Sequence, residues 1–154
     1  GWTEYTARLT LTYSMGIMNS LTDSSRKSSS SNPLTHRVII ALGSNADHEA
    51  NLNRALTLIG GVVDISRQTP AMWTEPVGKA AGMFLNSMVA GQTSLTLDEL
   101  TEATKLMEAQ CGRSAQGTAA GRIDIDIDIL DYDGLRLHPD DWNRSYIKQL
   151  MKHI

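Results

Sequence analysis

Gly121-Arg122-Ile123-Asp124-Ile125-Asp126-Ile127-Asp128-Ile129-Leu130 alternates isoleucine with aspartate. Period two is the repeat of a β-strand. The pattern predicts Ile123, Ile125, Ile127 and Ile129 on a core-facing side and Asp124, Asp126 and Asp128 on the other. Carboxylates at alternate positions of a strand lie about 7 Å apart, and a row of like charges on one face repels itself. One reading places cations in the row: Mg²⁺ is commonly held by one or two carboxylates, with substrate phosphate oxygens completing its octahedron. The other is an edge strand that carries charge against aggregation.

Composition narrows the setting. The chain has 154 residues, 41% hydrophobic and 20% charged, which suits one globular domain with a proper core. A net charge of −3 points to neither a nucleic-acid nor a membrane partner, so any phosphate-binding charge is local. Cys111 stands alone and favours a reducing compartment. No apolar run approaches the roughly 20 residues of a membrane-spanning helix, and Thr10, Thr12 and Ser14 interrupt any secretory core. The expectation is a cytoplasmic protein.

Residues 1–35 differ from the rest. Ser24-Ser25-Arg26-Lys27-Ser28-Ser29-Ser30-Ser31-Asn32-Pro33 has nothing to pack, so this segment is expected to be a disordered or loosely attached extension, with the domain proper over 36–154. The alternation over Ala7–Tyr13 offers an added edge strand as an alternative. Gly1 is not an initiator, and Met15 or Met18 could mark an original start.

Val38-Ile39-Ile40-Ala41-Leu42 predicts a buried strand, and Gly43-Ser44-Asn45 a turn that offers a helix cap. Leu52, Ala55, Leu56 and Ile59 then recur at helical spacing before Gly60-Gly61. Val62–Trp73 is extended, with Pro70 implying an edge or bulge, and Thr74-Glu75-Pro76-Val77-Gly78 is a loop. Met83–Val89 resumes the sheet, placing Phe84 and Asn86 on one face and Leu85 on the other. Thr96 and Glu99 fit a capping box for a helix buried through Leu100, Ala103 and Met107 and ended by Gly112. Residues 114–120, small and uncharged, predict a mobile loop that can act as a lid. Strand, helix, strand, strand, helix, strand is the order of a ferredoxin-like α+β sandwich, an antiparallel sheet with helices on one face.

Several motifs in this order resemble the 6-hydroxymethyl-7,8-dihydropterin pyrophosphokinase family. They are Ala41-Leu42-Gly43-Ser44-Asn45, Thr74-Glu75-Pro76-Val77-Gly78, Phe84-Leu85-Asn86, Glu108 with Gly112-Arg113, Asp126-Ile127-Asp128-Ile129-Leu130, and His138 with Arg144. The resemblance covers residues 37 to about 150. It implies transfer of pyrophosphate from ATP to a pterin alcohol in folate biosynthesis, releasing AMP. It implies two Mg²⁺ ions on Asp126 and Asp128, with Arg113 and Arg122 as catalytic residues offsetting charge on the transferred group. Glu108, Arg113, Ile129, His138 and Arg144 would bind ATP. Phe84 and Tyr146 would enclose the pterin ring, with Thr74, Val77 and Asn86 at its hydrogen-bonding edge. ATP and the pterin alcohol are then the partners, with no nucleic acid or membrane, in a monomer or homodimer. Trp73 and Trp142 are read as packing or rim residues, Cys111 as packing, and Glu108 as partly structural.

The sequence departs from the family in three places. Arg122 stands four positions ahead of Asp126, where the family places its arginine three ahead, and a one-residue shift on a strand reverses the face. Residues 114–120 lack the family's cationic and aromatic lid side chains. The chain continues only briefly past Arg144, which would leave an apolar surface for a second copy or the N-terminal extension to cover. An active pyrophosphokinase, a divergent pterin-binding homologue with weak or no activity, and a non-catalytic ferredoxin-like interaction module therefore all stand as readings.

Overall fold

A computed structural model describes residues 34–154. The expectations for the N-terminal extension and for a strand over Ala7–Tyr13 lie outside the described residues. The described chain runs β1 (His36–Ser44), α1 (His48–Gly60), β2 (Asp64–Gln68), β3 (Met72–Thr74), β4 (Phe84–Thr93), α2 (Leu97–Gln110), α3 (Ala115–Ala119), β5 (Asp126–Tyr132), β6 (Leu135–Arg136), α4 (Pro139–Trp142) and α5 (Ser145–Met151). The strands form a six-stranded antiparallel sheet ordered β2-β4-β1-β5-β6, with β3 following β2 along the outer side of β4. This is the expected ferredoxin-like α+β architecture. Pro70 falls in the break between β2 and β3, where no ladder amide is needed.

The pleat divides the core. Val38, Ile40, Leu42, Leu85, Val89, Ile127 and Ile129 pack with Leu52, Ala55, Ile59, Leu100, Ala103 and Met107 of α1 and α2. Each buried Val, Leu, Ile or Met side chain among them contributes about 2 kcal/mol. Thr96 caps α2 as predicted, accepting from the Glu99 amide at 3.2 Å while Glu99 accepts from the Thr96 amide at 3.0 Å. On the opposite face Met88 and Leu130 meet Ile147 and Leu150 of α5. The long helices thus lie on one face, and the short terminal helix, absent from the sequence reading, covers part of the other.

Three local expectations are corrected. Strand β5 begins at Asp126, so only Ile125, Ile127 and Ile129 are buried in the predicted way. Neither Ser44 nor Asn45 caps α1: its N-cap is Asp47, in the left-handed region with no side-chain cap. Residues 114–120 hold a helical turn, α3, whose cap Ser114 accepts from the Gly117 amide at 2.9 Å, in place of the predicted loop.

Asn45 serves another purpose. Its Nδ2 donates to the Ala81 and Gly121 carbonyls, both at 2.7 Å, and its Oδ1 accepts from the Ile123 amide at 2.6 Å. One side chain thereby joins the end of β1, the loop before β4 and the chain entering β5. Asn45→Ala takes its bond from each of these groups, leaving the Gly121 carbonyl only the Ala81 amide at 3.0 Å, and is expected to cost about 2 kcal/mol, read as a lower denaturant midpoint with an unchanged slope.

Candidate active site

The site lies on the sheet face opposite α1 and α2. Alternation sends Leu85 to the helix side and Phe84 and Asn86 to the other, as predicted. Asp126 and Asp128 face the same way from β5, two strands across, with Ala41 and Gly43 of β1 between them. These residues, the loop after β3, Arg113, Arg144 and Tyr146 enclose a cavity of about 360 Å³.

Its apolar end is held by Asn86, which is buried and donates to Thr74 Oγ1 at 2.6 Å. Gly43 explains the glycine of the first motif: a Cβ there would lie 2.7 Å from Asn86 Oδ1 and 3.5 Å from Phe84 Cδ1. Gly43→Ala must push the Asn86 amide aside, and it is expected to weaken pterin-alcohol binding about tenfold or more while leaving nucleotide affinity nearly unchanged. Fluorescence titration with each ligand checks this. Phe84 and Tyr146 both line the cavity. Burial, with Asp141 beside it, pushes the Tyr146 phenol up to about 12, so it stays neutral.

The polar end is a charge network. Glu108 is buried and accepts from Arg113 Nη1 at 2.9 Å, the Ile127 amide at 2.9 Å and Lys105 Nζ at 3.3 Å. Arg113 Nη1 also donates to Asp126 Oδ1 at 2.9 Å. Burial pushes the Glu108 carboxyl up, against the pull of the Ile127 amide and Arg113. For Arg113, burial works against the charge, yet Glu108 and Asp126 raise its pKa overall. Beside this, burial together with Asp126 raises Asp128 to about 8. Two neighbouring carboxylates, one kept protonated for want of positive charge, are a donor set that fits divalent cations. Among the described residues no three His, Cys, Asp or Glu side chains converge on one point.

Edge protection falls to other groups. Strand β6 pairs only with Asp131 and Tyr132, so residues 126–130 lie at the sheet margin. There the Ile127 amide is taken by Glu108, and the Ile125 carbonyl accepts from Arg113 at 3.4 Å. The aspartates point into the cavity instead.

Of the residues expected from the sequence, Thr74, Val77, Phe84, Asn86, Arg113, Asp126, Asp128, Arg144 and Tyr146 line this one cavity. Glu108 supports it from behind. His138 lies outside the lining, its Nε2 3.9 Å from Asp128 Oδ1. Ile129 is buried in the helix-side core and presents no side chain to the cavity. Arg122, expected as catalytic, is turned away: it pairs with Asp124 at 2.8 Å and Asp47 at 3.4 Å. Ile123 lines the cavity in its stead, and Asp124 is buried on the other side. Trp142 is a packing residue, its Nε1 donating to the Leu130 and Leu137 carbonyls. Trp73 is exposed beside His48. Sequence reasoning passed over Lys79, Thr118 and Asp141, and gave no role to Glu75 within its motif, though all four line the cavity. Only Asp141 left a signal, at three residues before Arg144, to which it is bonded at 3.0 Å.

Fold and site together define a ferredoxin-like domain with an aromatic and acidic ligand cavity on its open sheet face. Residues 39–154 match the family described as 7,8-dihydro-6-hydroxymethylpterin-pyrophosphokinase, and the chain belongs to that family. It is 35% identical to a mitochondrial folate synthesis bifunctional protein of Arabidopsis thaliana, over 73% of this chain and 22% of that protein. It is 37% identical to the 2-amino-4-hydroxy-6-hydroxymethyldihydropteridine pyrophosphokinase of Bacillus subtilis, over 59% of this chain and 56% of that one. A mitochondrial folate synthesis bifunctional protein of Pisum sativum is 37% identical over 67% of this chain and 20% of its own length. The matched stretch thus spans little more than half of the bacterial relative and about a fifth of the plant ones. No described helix is long and apolar enough to cross a membrane.

Proposed function

We propose that this domain transfers pyrophosphate from ATP to the hydroxymethyl group of 6-hydroxymethyl-7,8-dihydropterin. The hydroxymethyl oxygen attacks the β-phosphorus, the bond from that phosphorus to the oxygen of the α-phosphate breaks, and AMP leaves. The hydroxyl proton passes to solvent. The observation that carries this reading is the single cavity with Phe84, Tyr146 and Asn86 at one end and Asp126, Asp128 and Arg113 at the other.

Phosphoryl chemistry asks little covalent work of a protein, so positioning and electrostatics dominate. Asp126 and Asp128 would hold Mg²⁺, which when bound neutralises phosphate charge and draws the nucleotide to the acidic wall. Glu108 fixes the Arg113 guanidinium, which donates to Asp126 and can turn its remaining donors to the transferred group. Phe84 and Tyr146 offer faces for a flat ring, and Asn86, held by Thr74, offers its amide edge. Arg144 and His138 flank the acidic end, where the nucleotide would lie. Because Cys111 is free and buried, a reducing compartment such as the cytoplasm suits the chain.

A second reading, a pterin-binding homologue with weak catalysis, is favoured by Arg122 facing outward and by the uncharged α3. Calorimetric titration separates the two. The first predicts that a non-hydrolysable ATP analogue binds only with Mg²⁺ and that the pterin alcohol binds the same protein. Pterin binding with no nucleotide binding at any Mg²⁺ concentration would establish the second.

A further inference from the structure

The loop after β3 brings a cation into the cavity that no motif assigns. The cationic side chains lining the cavity are Arg113, Arg144 and Lys79. Arg113 is committed to Glu108 and Asp126, each at 2.9 Å, and Arg144 to Asp141 at 3.0 Å. Among the described residues Lys79 makes no ion pair, so its ammonium is the lining cation still available to an anionic ligand.

Its backbone is nonetheless fixed. The Ala81 amide donates to the Gly121 carbonyl at 3.0 Å, and the Ala81 carbonyl accepts from Asn45 at 2.7 Å. The Lys79 carbonyl sits so close to Gly121 that a Cβ there would lie 3.1 Å from it. Lys79 therefore projects from a stapled loop beside the very residue that precedes the outward-turned Arg122.

We propose that Lys79 contacts the phosphate chain of the bound nucleotide and supplies the positive charge that Arg122 does not bring into the cavity. This rests on the pyrophosphokinase reading. A lysine suits the place, because its compact charge on a flexible stem can reach a phosphate from the loop. The contact is charge-assisted and is lost with the ammonium.

The test is titration of the Mg²⁺ complex of a non-hydrolysable ATP analogue, and separately of the pterin alcohol, into the full chain and its Lys79→Ala, Lys79→Arg and Arg122→Ala variants. Lys79→Ala is expected to weaken nucleotide binding about tenfold, with pterin affinity held within about twofold and Lys79→Arg restoring most of the loss. Arg122→Ala is expected to lose less than Lys79→Ala. The proposal is overturned if Lys79→Ala keeps its nucleotide affinity, if pterin affinity falls equally, or if Arg122→Ala suffers the larger loss. A wild-type chain that binds no nucleotide overturns the pyrophosphokinase reading as well. One that turns over normally while Lys79→Ala does the same overturns this proposal alone.

Discussion

Asp126→Ala and Asp128→Ala are each expected to lower turnover by about a thousandfold or more, while the folded structure is kept and, for Asp128→Ala, made more stable. The carboxylates are charge neighbours on one strand face, and each would hold metal on the phosphate chain. Losing about 4 kcal/mol of charge stabilisation gives a loss of that size. The stability change has the opposite sign. Burial and Asp126 raise the Asp128 carboxyl from 3.8 to about 8, so the metal-free folded protein holds a proton that the unfolded chain releases. The contribution of this group to wild-type stability falls as pH rises through that window. The gain from Asp128→Ala accordingly grows across it. Thermal melts in chelator against pH, run beside a turnover assay, read both effects. Wild-type turnover in either variant, or an Asp128→Ala variant less stable than wild type at pH 8, contradicts the assignment.

Arg113→Ala is expected to combine a loss of activity with a loss of stability. Arg113 bonds Glu108, buried at 5% exposure, and Asp126 at the cavity wall. Its removal leaves a buried carboxylate with only the Ile127 amide and the longer Lys105 contact, at a cost of about 3 kcal/mol. It also removes a guanidinium from the transferred group, worth about a hundredfold or more in turnover. Arg113→Ala with Glu108→Gln recovers part of the stability, because the neutral amide needs no cation, but none of the activity. Chemical denaturation and initial rates of the single and double variants check this. Equal instability in both would show that Glu108 does not act through Arg113.

The Ile–Asp alternation was enough to place Asp126 and Asp128 on one face and Ile125, Ile127 and Ile129 on the other, since these positions obey the pleat. It failed one step upstream. Ile123 is fixed by two bonds to Asn45, through its amide at 2.6 Å and its carbonyl at 3.0 Å, and the Arg122 amide is bound to the Gly117 carbonyl at 2.8 Å. These contacts hold residues 122–125 out of the ladder, so Ile123 meets the cavity while Asp124 is buried against Arg122. Partners more than seventy residues away in sequence, as Asn45 is from Ile123, leave no trace in a local period.

Helix α3 escaped for a different reason. Ser114 is a good cap, but the Ala, Gly and Thr that follow carry no apolar stripe, and a helical turn this short has no periodicity to read. Helix α5 does carry Ile147 and Leu150 at helical spacing, yet two positions alone do not separate a helix from a loop. Of the motif residues, Thr74, Val77, Phe84, Asn86, Arg113, Asp126, Asp128 and Arg144 line the cavity, while His138 and Ile129 do not. Lys79 was not legible, because a loop lysine is ordinarily solvated and only the folded chain shows it over the cavity.

The most direct test of the central claim is product analysis. The purified chain is incubated with ATP, Mg²⁺ and 6-hydroxymethyl-7,8-dihydropterin, and the nucleotides are resolved with time. The account predicts AMP and a pterin diphosphate ester in equal amounts, with neither formed when chelator or Asp128→Ala is substituted. ADP as the nucleotide product, or ATP left intact in the presence of a pterin alcohol that demonstrably binds, would contradict it.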